Sequence, residues 1–451
     1  MIKFKINKDA PLTKENVAAI LNAHQAEEVR MNKLGKYYLG QNEILSRTLT
    51  DTSKPNNRIV HSYGNYITDT VVGYFMGTPV NYSAKDESAA DLALNLKEIF
   101  ELNDEAEQNV ELAKNSSKFG VAYELAYLDE EANIRFKYVD PIYCIPIFDN
   151  TLEEEIIYFI RYYIESYLGT QATHIVEIYD KDRVVSYRKE NEQLNYFGEI
   201  LHNFGMVPVS IYYNNEDMIG DYELVISQID AYDKLNSDSV NDFEQFADAY
   251  LVLKGMEGTE TEDIAAMKRN RVLLLGQDAA AEWLTKSIND TYFQNTIKTI
   301  DTDIHKFAQV PAMSDASFGG NLSGIAIKYK LMGLENKVAI KERKFKKGLQ
   351  RRIELITNIL NLMGAAYDYR EIEISFKRNI PANDLEAADM VNKIWGLVSD
   401  ETAISQLPFV EDAAAELETK SKQMDMNPEP IAADPLAAID PAVSDETIST
   451  N

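Results

Sequence analysis

The strongest constraint in this sequence is that its hydrophobic period changes twice. Over roughly the first 115 residues apolar positions recur every three or four, the spacing of a helix face. Thr13, after Pro11, is placed to cap such a helix, with Val17, Ile20, Leu21 and His24 following on one side. A second helical stretch is expected from Asn57 to Met76, with Ile59, Tyr63, Ile67, Val71 and Phe75 on its apolar face and a stop at Gly77 and Pro79. Between about Gly120 and Tyr213 the period shortens to that of strands. The runs are Val121 to Tyr127, Ile134 to Val139, Ile156 to Tyr163, His174 to Tyr179, Val184 to Arg188 and Val209 to Tyr213, separated by turn residues such as Asp129 to Asn133. This pattern predicts an antiparallel region joined to the first helices in an α+β fold.

From Gly220 the helical period returns. Val225, Ile229, Tyr232, Val240 and Phe243 mark one long amphipathic helix, and a second runs from Tyr292 to Phe307, ending before Pro311. Between them lies a small insertion with the apolar run Val272 to Leu275. After a loop of small residues, the longest helical candidate spans Ile325 to Met363, with Gly333 and Gly348 inside it as possible bends. A strand-like piece, Arg370 to Arg378, precedes further helices over Asn383 to Ser399 and from Pro408 to Met424. The last residues combine Pro428, Pro430, Pro435 and Pro441 with acids and no Lys or Arg, the composition of a disordered tail. At 451 residues the chain exceeds the ~250–300 at which one core stops growing, so the changes of period are read as borders between structural parts.

Charge narrows the function classes. With 45 Lys and Arg against 73 Asp and Glu, the net charge of -28 argues against wrapping DNA or lying on an anionic membrane, unless the bases are gathered in one place. They are gathered. Lys328, Lys330, Lys337, Lys341, Arg343, Lys344, Lys346 and Lys347 fall on the longest helix, against only Glu335 and Glu342 between them. Phosphate contact, salt bridges to a neighbouring subunit and a solvated face all fit this run; the chain's own acids, as the nearest abundant counter-charge, favour the second. The helix from Gly220 carries the opposite sign through Asp230, Asp233, Asp238, Asp242, Glu244 and Asp248. A solvated face, an interface with basic partners and a surface that repels DNA remain open there.

Enzymatic readings find little support. The loop Gly319 to Gly324 fits G-x-x-x-x-G, but Ile325 and Ala326 stand where a phosphate-binding loop needs Lys and then Ser or Thr. Cys144 is the only cysteine and reads as a buried strand residue, and His61, His174 and His305 have no partner at a suggestive spacing. No cofactor or metal is expected. No window approaches the ~20 apolar residues of a membrane span.

Four stretches in this order resemble the portal proteins of tailed double-stranded DNA bacteriophages, of the long-tailed type found in Gram-positive hosts. They are Asn57 to Tyr82 with its Gly-Thr-Pro-Val turn, Asp140 to Asp149, Tyr222 to Gly255, and Gly320 through Lys337. The resemblance implies a ring, usually a dodecamer, at one capsid vertex, through which DNA is packaged and ejected. It implies a wing (1–219), first stem helix (220–250), clip (251–290), second stem helix (291–310) and tunnel loop (311–324). A long tunnel helix with a returning wing strand (325–381), a helical crown (382–425) and the tail (426–451) complete it. Ser317, Phe318, Gly319, Gly320, Asn321, Leu322, Ser323 and Gly324 would then face DNA. Glu260, Glu262, Lys268, Arg269 and Arg271 would dock partners at the clip. Implied partners are the terminase large subunit, the head-completion adaptor, the major capsid and scaffold proteins, other copies of the chain and the passing DNA, with no membrane. The implied place is the virion, after assembly in the host cytoplasm, and the implied role is not enzymatic.

Overall fold

Helix α1 (Lys14–Tyr38) begins where the Thr13 hydroxyl accepts a hydrogen bond from the Asn16 amide, 3.3 Å away. Its buried positions Val17 and Ile20 rest on one face of a six-stranded sheet, against Ile145, Ile147, Ile160, Val176 and Leu194. The structure is a computed structural model that describes residues 3–8, 10–52, 54–166, 172–190, 193–246, 250–254, 260, 262–263, 265, 269, 280–284, 290–313, 324–379, 384–407, 410 and 413–426. It falls into two compact units, Met1–Asn379 and Ile380–Asn451.

In the first unit the six-stranded sheet has the order β1 (Phe4–Ile6), β5 (Cys144–Asp149), β6 (Ile156–Glu165), β7 (Thr173–Tyr179), β8 (Arg183–Glu190), β9 (Gln193–Leu201). Every pair is antiparallel except β1 with β5, where Phe4 lies opposite Ile147. The strand runs expected from the sequence do not include β9, whose Tyr196, Phe197, Ile200 and Leu201 are exposed and break the alternation of apolar and polar residues. Cys144 is buried in β5, and burial pushes its thiol far up, away from the reactive thiolate. A second sheet, β10 (Val209–Tyr213), β3 (Val121–Leu128) and β4 (Ile134–Val139), is fully antiparallel. The short pair β2 (Asn81–Ala84) and β13 (Ile372–Ser375) ties the early chain to the late chain.

Helices α2 (Tyr63–Met76), α3 (Ala90–Leu102) and α4 (Glu105–Phe119) pack around these sheets. α4 stops at Gly120, whose φ of 88° is left-handed; a side chain there would also meet the Met218 carbonyl. Residues 57–62, expected to be helical, precede α2 as an extended segment instead. Their amides at 57, 59 and 61 are taken by side chains of α5 (Ile226–Phe246).

α5 (Ile226–Phe246) and α6 (Asp290–Ala308) are antiparallel neighbours. The end of α6 reaches the short 3-10 turn Glu223–Val225 that starts α5, and at the other end β11 (Tyr250–Lys254) pairs with β12 (Ala280–Leu284). α7 (Gly324–Leu362) is one helix of 39 residues, about 58 Å long at 1.5 Å per residue. It lies across β10, and its Phe345 ring sits 4.6 Å from that of Tyr212 and 5.5 Å from that of Phe75. Gly348 makes this crossing possible: a β-carbon there would stand 2.5 Å from the Tyr212 ring and 2.9 Å from the Ile211 carbonyl. It serves a close approach where the sequence suggested a bend.

The second unit contains α8 (Asp384–Ile394), α9 (Asp400–Ile404) and α10 (Ala413–Met426). α8 ends earlier than expected because Gly396 turns the chain at a φ of 80°, letting Trp395 bridge to Val398. Ser399 then caps α9.

Two glycines of one helix give opposite expectations. Gly348→Ala should lower unfolding stability by about 1–3 kcal/mol through overpacking. Gly333→Ala meets nothing nearer than 3.9 Å, so the helix propensity of alanine should raise stability by up to about 1 kcal/mol. Denaturant unfolding of both variants measures the difference.

Candidate functional site

The start of α5 is where four parts of the first unit converge, and Asp221 is at the centre. Its side chain is buried and accepts hydrogen bonds from Ser117 at the end of α4 (2.6 Å), Asn214 after β10 (3.1 Å) and Lys341 on α7 (2.6 Å), while the Lys337 ammonium lies 3.2 Å away. Burial alone would push this carboxyl up. The Lys337 and Lys341 charges, with hydrogen bonds from Lys341 and Ser117, outweigh that and hold it well below the usual carboxylate range. Lys337 also donates to the Ala308 carbonyl at the end of α6, 2.8 Å away, so one lysine joins α5, α6 and α7. Beside this centre Arg30 of α1 holds Glu223 through two bonds of 2.7 and 2.6 Å and donates to the Met218 carbonyl.

A second buried set lies three turns along α7. Arg352 is 1% exposed and donates to both oxygens of Glu124 on β3 (2.9 and 2.6 Å) and to Glu105 on α4 (3.0 Å). Tyr82 and Asn109 donate to the same Glu105 carboxylate. Lys344 pairs with Glu216, and Arg378 bridges Glu335 and Glu342. Much of the basic run on α7 is therefore matched within its own chain.

The polar side chains of α5 are also largely engaged, three of them by backbone amides. Residues 57, 59 and 61 point their amides at α5: Asn57 N–H donates to Asn241 Oδ1 (2.7 Å), Ile59 N–H to Ser237 Oγ (2.9 Å) and His61 N–H to Asp233 Oδ1 (2.8 Å). Every second residue of an extended chain advances about 6.6 Å, and every fourth residue of a helix about 6 Å, so the two series stay in step. This match holds 57–62 out of a helix. Asp233 is fully buried by it, accepting also from Asn42 (2.6 Å), and His61 Nδ1 lies 2.9 Å from the same carboxylate. The Ser237 hydroxyl donates to the Asp233 carbonyl, as part of the clamp and not of a nucleophile array. Asp230 accepts from Tyr37, and Asp238 pairs with Arg47 at 2.7 Å.

The predicted residues thus separate. Asp230, Asp233, Asp238, Lys337 and Lys341 are internal links; for Lys341, 1% exposed, the expected phosphate or neighbour contact gives way to Asp221, because a buried ammonium needs its counter-charge at hand. Lys328, Arg343 and Glu244 are exposed, and Lys330 and Asp242 partly so. Gly324 is the first residue of α7, while Ser317 to Ser323 and Asp248 lie outside the described residues. The residues that follow α6 are held by α2, since Tyr66 donates to the Pro311 carbonyl and accepts from the Met313 amide, each at 2.9 Å. At the far end of α5 and α6, Glu260, Glu262 and Arg269 are exposed, and Lys268 and Arg271 lie outside the described residues. Among the described residues no group of three or more His, Cys, Asp or Glu could hold a metal, and no helix is long and apolar enough to cross a membrane.

The sequence is similar to known proteins over nearly its whole length. The family model described as phage portal protein, SPP1 Gp6-like, matches residues 18–429. A relative named portal protein from Bacillus phage SPP1 is 25% identical over 421 residues, covering 86% of this chain and 82% of its own. Another portal protein, from Clostridium phage phiCD119, is 26% identical over 430 residues, covering 88% and 93%.

Removing the central carboxylate tests the junction. Asp221→Asn should cost about 3–5 kcal/mol near neutral pH, because Lys341 stays buried without its partner. A carboxyl held below its unfolded value of about 3.9 supplies stability above about pH 4 and loses it as pH falls further. Unfolding curves between roughly pH 7 and pH 3 should accordingly show a shallower acid decline in the variant than in the parent.

Proposed function

The chain belongs to the SPP1 Gp6-like phage portal family, and we propose that it assembles as a closed ring, of twelve subunits by the family's habit, forming the DNA conduit at one capsid vertex. The observation that supports this reading is the pairing of α5 with α6 beyond a charged junction, with the long α7 following in sequence. In this reading α5 and α6 are the stem, residues 251–290 the clip and residues 1–219 with β13 the wing. Residues 382–425, within the second unit, are the crown, and residues 311–324 face the DNA. The exposed charges Glu260, Glu262 and Arg269 would meet the terminase large subunit during packaging and the head-completion adaptor afterwards; capsid and scaffold proteins would surround the wing.

The physical role follows from charge. Each phosphate neutralised by a conduit adds affinity that translocation must break. Bases of α7 that are tied up internally, as Lys337 and Lys341 are by Asp221, offer DNA few such contacts. Acids left at the surface, Glu244 foremost, keep the polyanion off the wall. The work of translocation is then done by an ATPase bound at the clip, and this chain supplies guidance and a seal.

Negative-stain images of the purified protein should show rings with a central hole; a uniformly monomeric protein would sink the reading. Reversing Asp242 and Glu244 to Lys should slow packaging most at low salt, with the deficit shrinking as salt screens the new attraction. Equal packaging rates for parent and variant at every salt concentration would show that stem charge does not set friction.

A further inference from the structure

α7 has two apolar faces, and the fold of one chain buries only one of them. Leu334, Val338 and Phe345 face the core. On the opposite side Tyr329, Met332 and Ile340 are 73%, 56% and 54% exposed, and Arg343 and Lys347 continue the same line. At 3.6 residues per turn these five positions fall within a sector about 80° wide. Large apolar side chains in a row on a helix surface mark a contact site more often than a solvated face. Their presence in line with the cations also argues against DNA phosphate as the occupant, since a phosphate gains nothing from Tyr329, Met332 or Ile340.

The matching surface should carry apolar area and negative charge. Of the acids of α5, Asp230, Asp233 and Asp238 are engaged within their own chain, and Asp242 and Glu244 belong, in the ring reading, to the channel wall. α3 carries both. Its outward face exposes Leu94 (60%) and Leu102 (48%) beside Asp91, Glu98 and Glu101, all within a sector about 100° wide. An α7-to-α7 contact would oppose Arg343 and Lys347 to their own copies, whereas α7 on α3 opposes cation to anion and apolar to apolar. A patch complementary to a different patch of the same chain makes a head-to-tail contact, the type that closes into rings. Resting on the ring reading above, we propose that the outward face of α7 in one subunit docks on the outward face of α3 in the next.

Charge exchange in the full-length protein tests this by light scattering and electron microscopy. Arg343→Glu with Lys347→Glu should lose rings, Glu98→Lys with Glu101→Lys should lose them too, and the four changes together should restore them. A cross-link provides a test that does not depend on disrupting the fold. With Cys144 buried, a variant carrying Leu94→Cys and Ile340→Cys should give, on mild oxidation, a ladder of covalent multimers. A product that stops at dimers would mean that α7 meets α7, and would overturn the proposal. So would rings that form normally in both charge-reversed variants and give no ladder in the cysteine variant, while leaving the ring reading intact. Absence of rings from the unmodified protein would instead overturn the ring reading itself.

Discussion

The bonds to Asp221 are the interaction on which the rest of the first unit depends. A buried carboxylate is costly unless charge and hydrogen bonds converge on it, and here donors arrive from α4, from the turn after β10 and from α7. The geometry that satisfies the carboxylate therefore fixes where α5 leaves the sheets and how α7 lies relative to it. Arg30 repeats the logic from α1 by holding Glu223, two residues on. The backbone makes the same demand at short range. Gly120 and Gly220 both stand where a β-carbon would strike a carbonyl of the other segment, so the two chain segments meet without side chains between them.

Farther along α5 the structure solves a different problem with the same residue types. An extended segment laid on a helix has amides that neither element can satisfy alone. Asp233, Ser237 and Asn241, one per turn, take three of them. Polar residues that look like a solvated or DNA-facing stripe are thus the means by which the early chain is fastened to α5. Among these acids, the positions that remain at the surface lie toward the β11–β12 end.

How legible all this was in the sequence depended on the range of the interaction. Strands β4 and β10 and the cap at Thr13 follow from neighbours within a few residues, and the sequence pattern places them well. Residues 57–62 carry a helical pattern in Ile59 and Tyr63, yet their conformation is decided by side chains some 180 positions away, which no local pattern contains. The basic run on α7 is an intermediate case. Lys341 lies three after Val338 and four before Phe345, and Arg352 three after Leu349, so both share the apolar face of the helix. Their period showed that they were internal; a count of charges treated them as surface. What the period could not supply was the identity of their partners, Asp221 and the Glu124 and Glu105 pair, from distant parts of the chain. The His61 contact with Asp233 was hidden for the same reason.

Cys144 bears on a condition that the particle meets but the fold does not feel. Under the proposed reading, the chain is assembled in one redox environment, the host cytoplasm, and persists in another. A lone thiol sealed in β5, with its ionisation pushed far up, offers neither a thiolate to oxidants nor a sulfur to another chain. The scaffold is instead held by packing, hydrogen bonds and buried ion pairs, none of which changes with redox potential. On that reading, the subunit that leaves the cell is, in its covalent structure, the one that was assembled there.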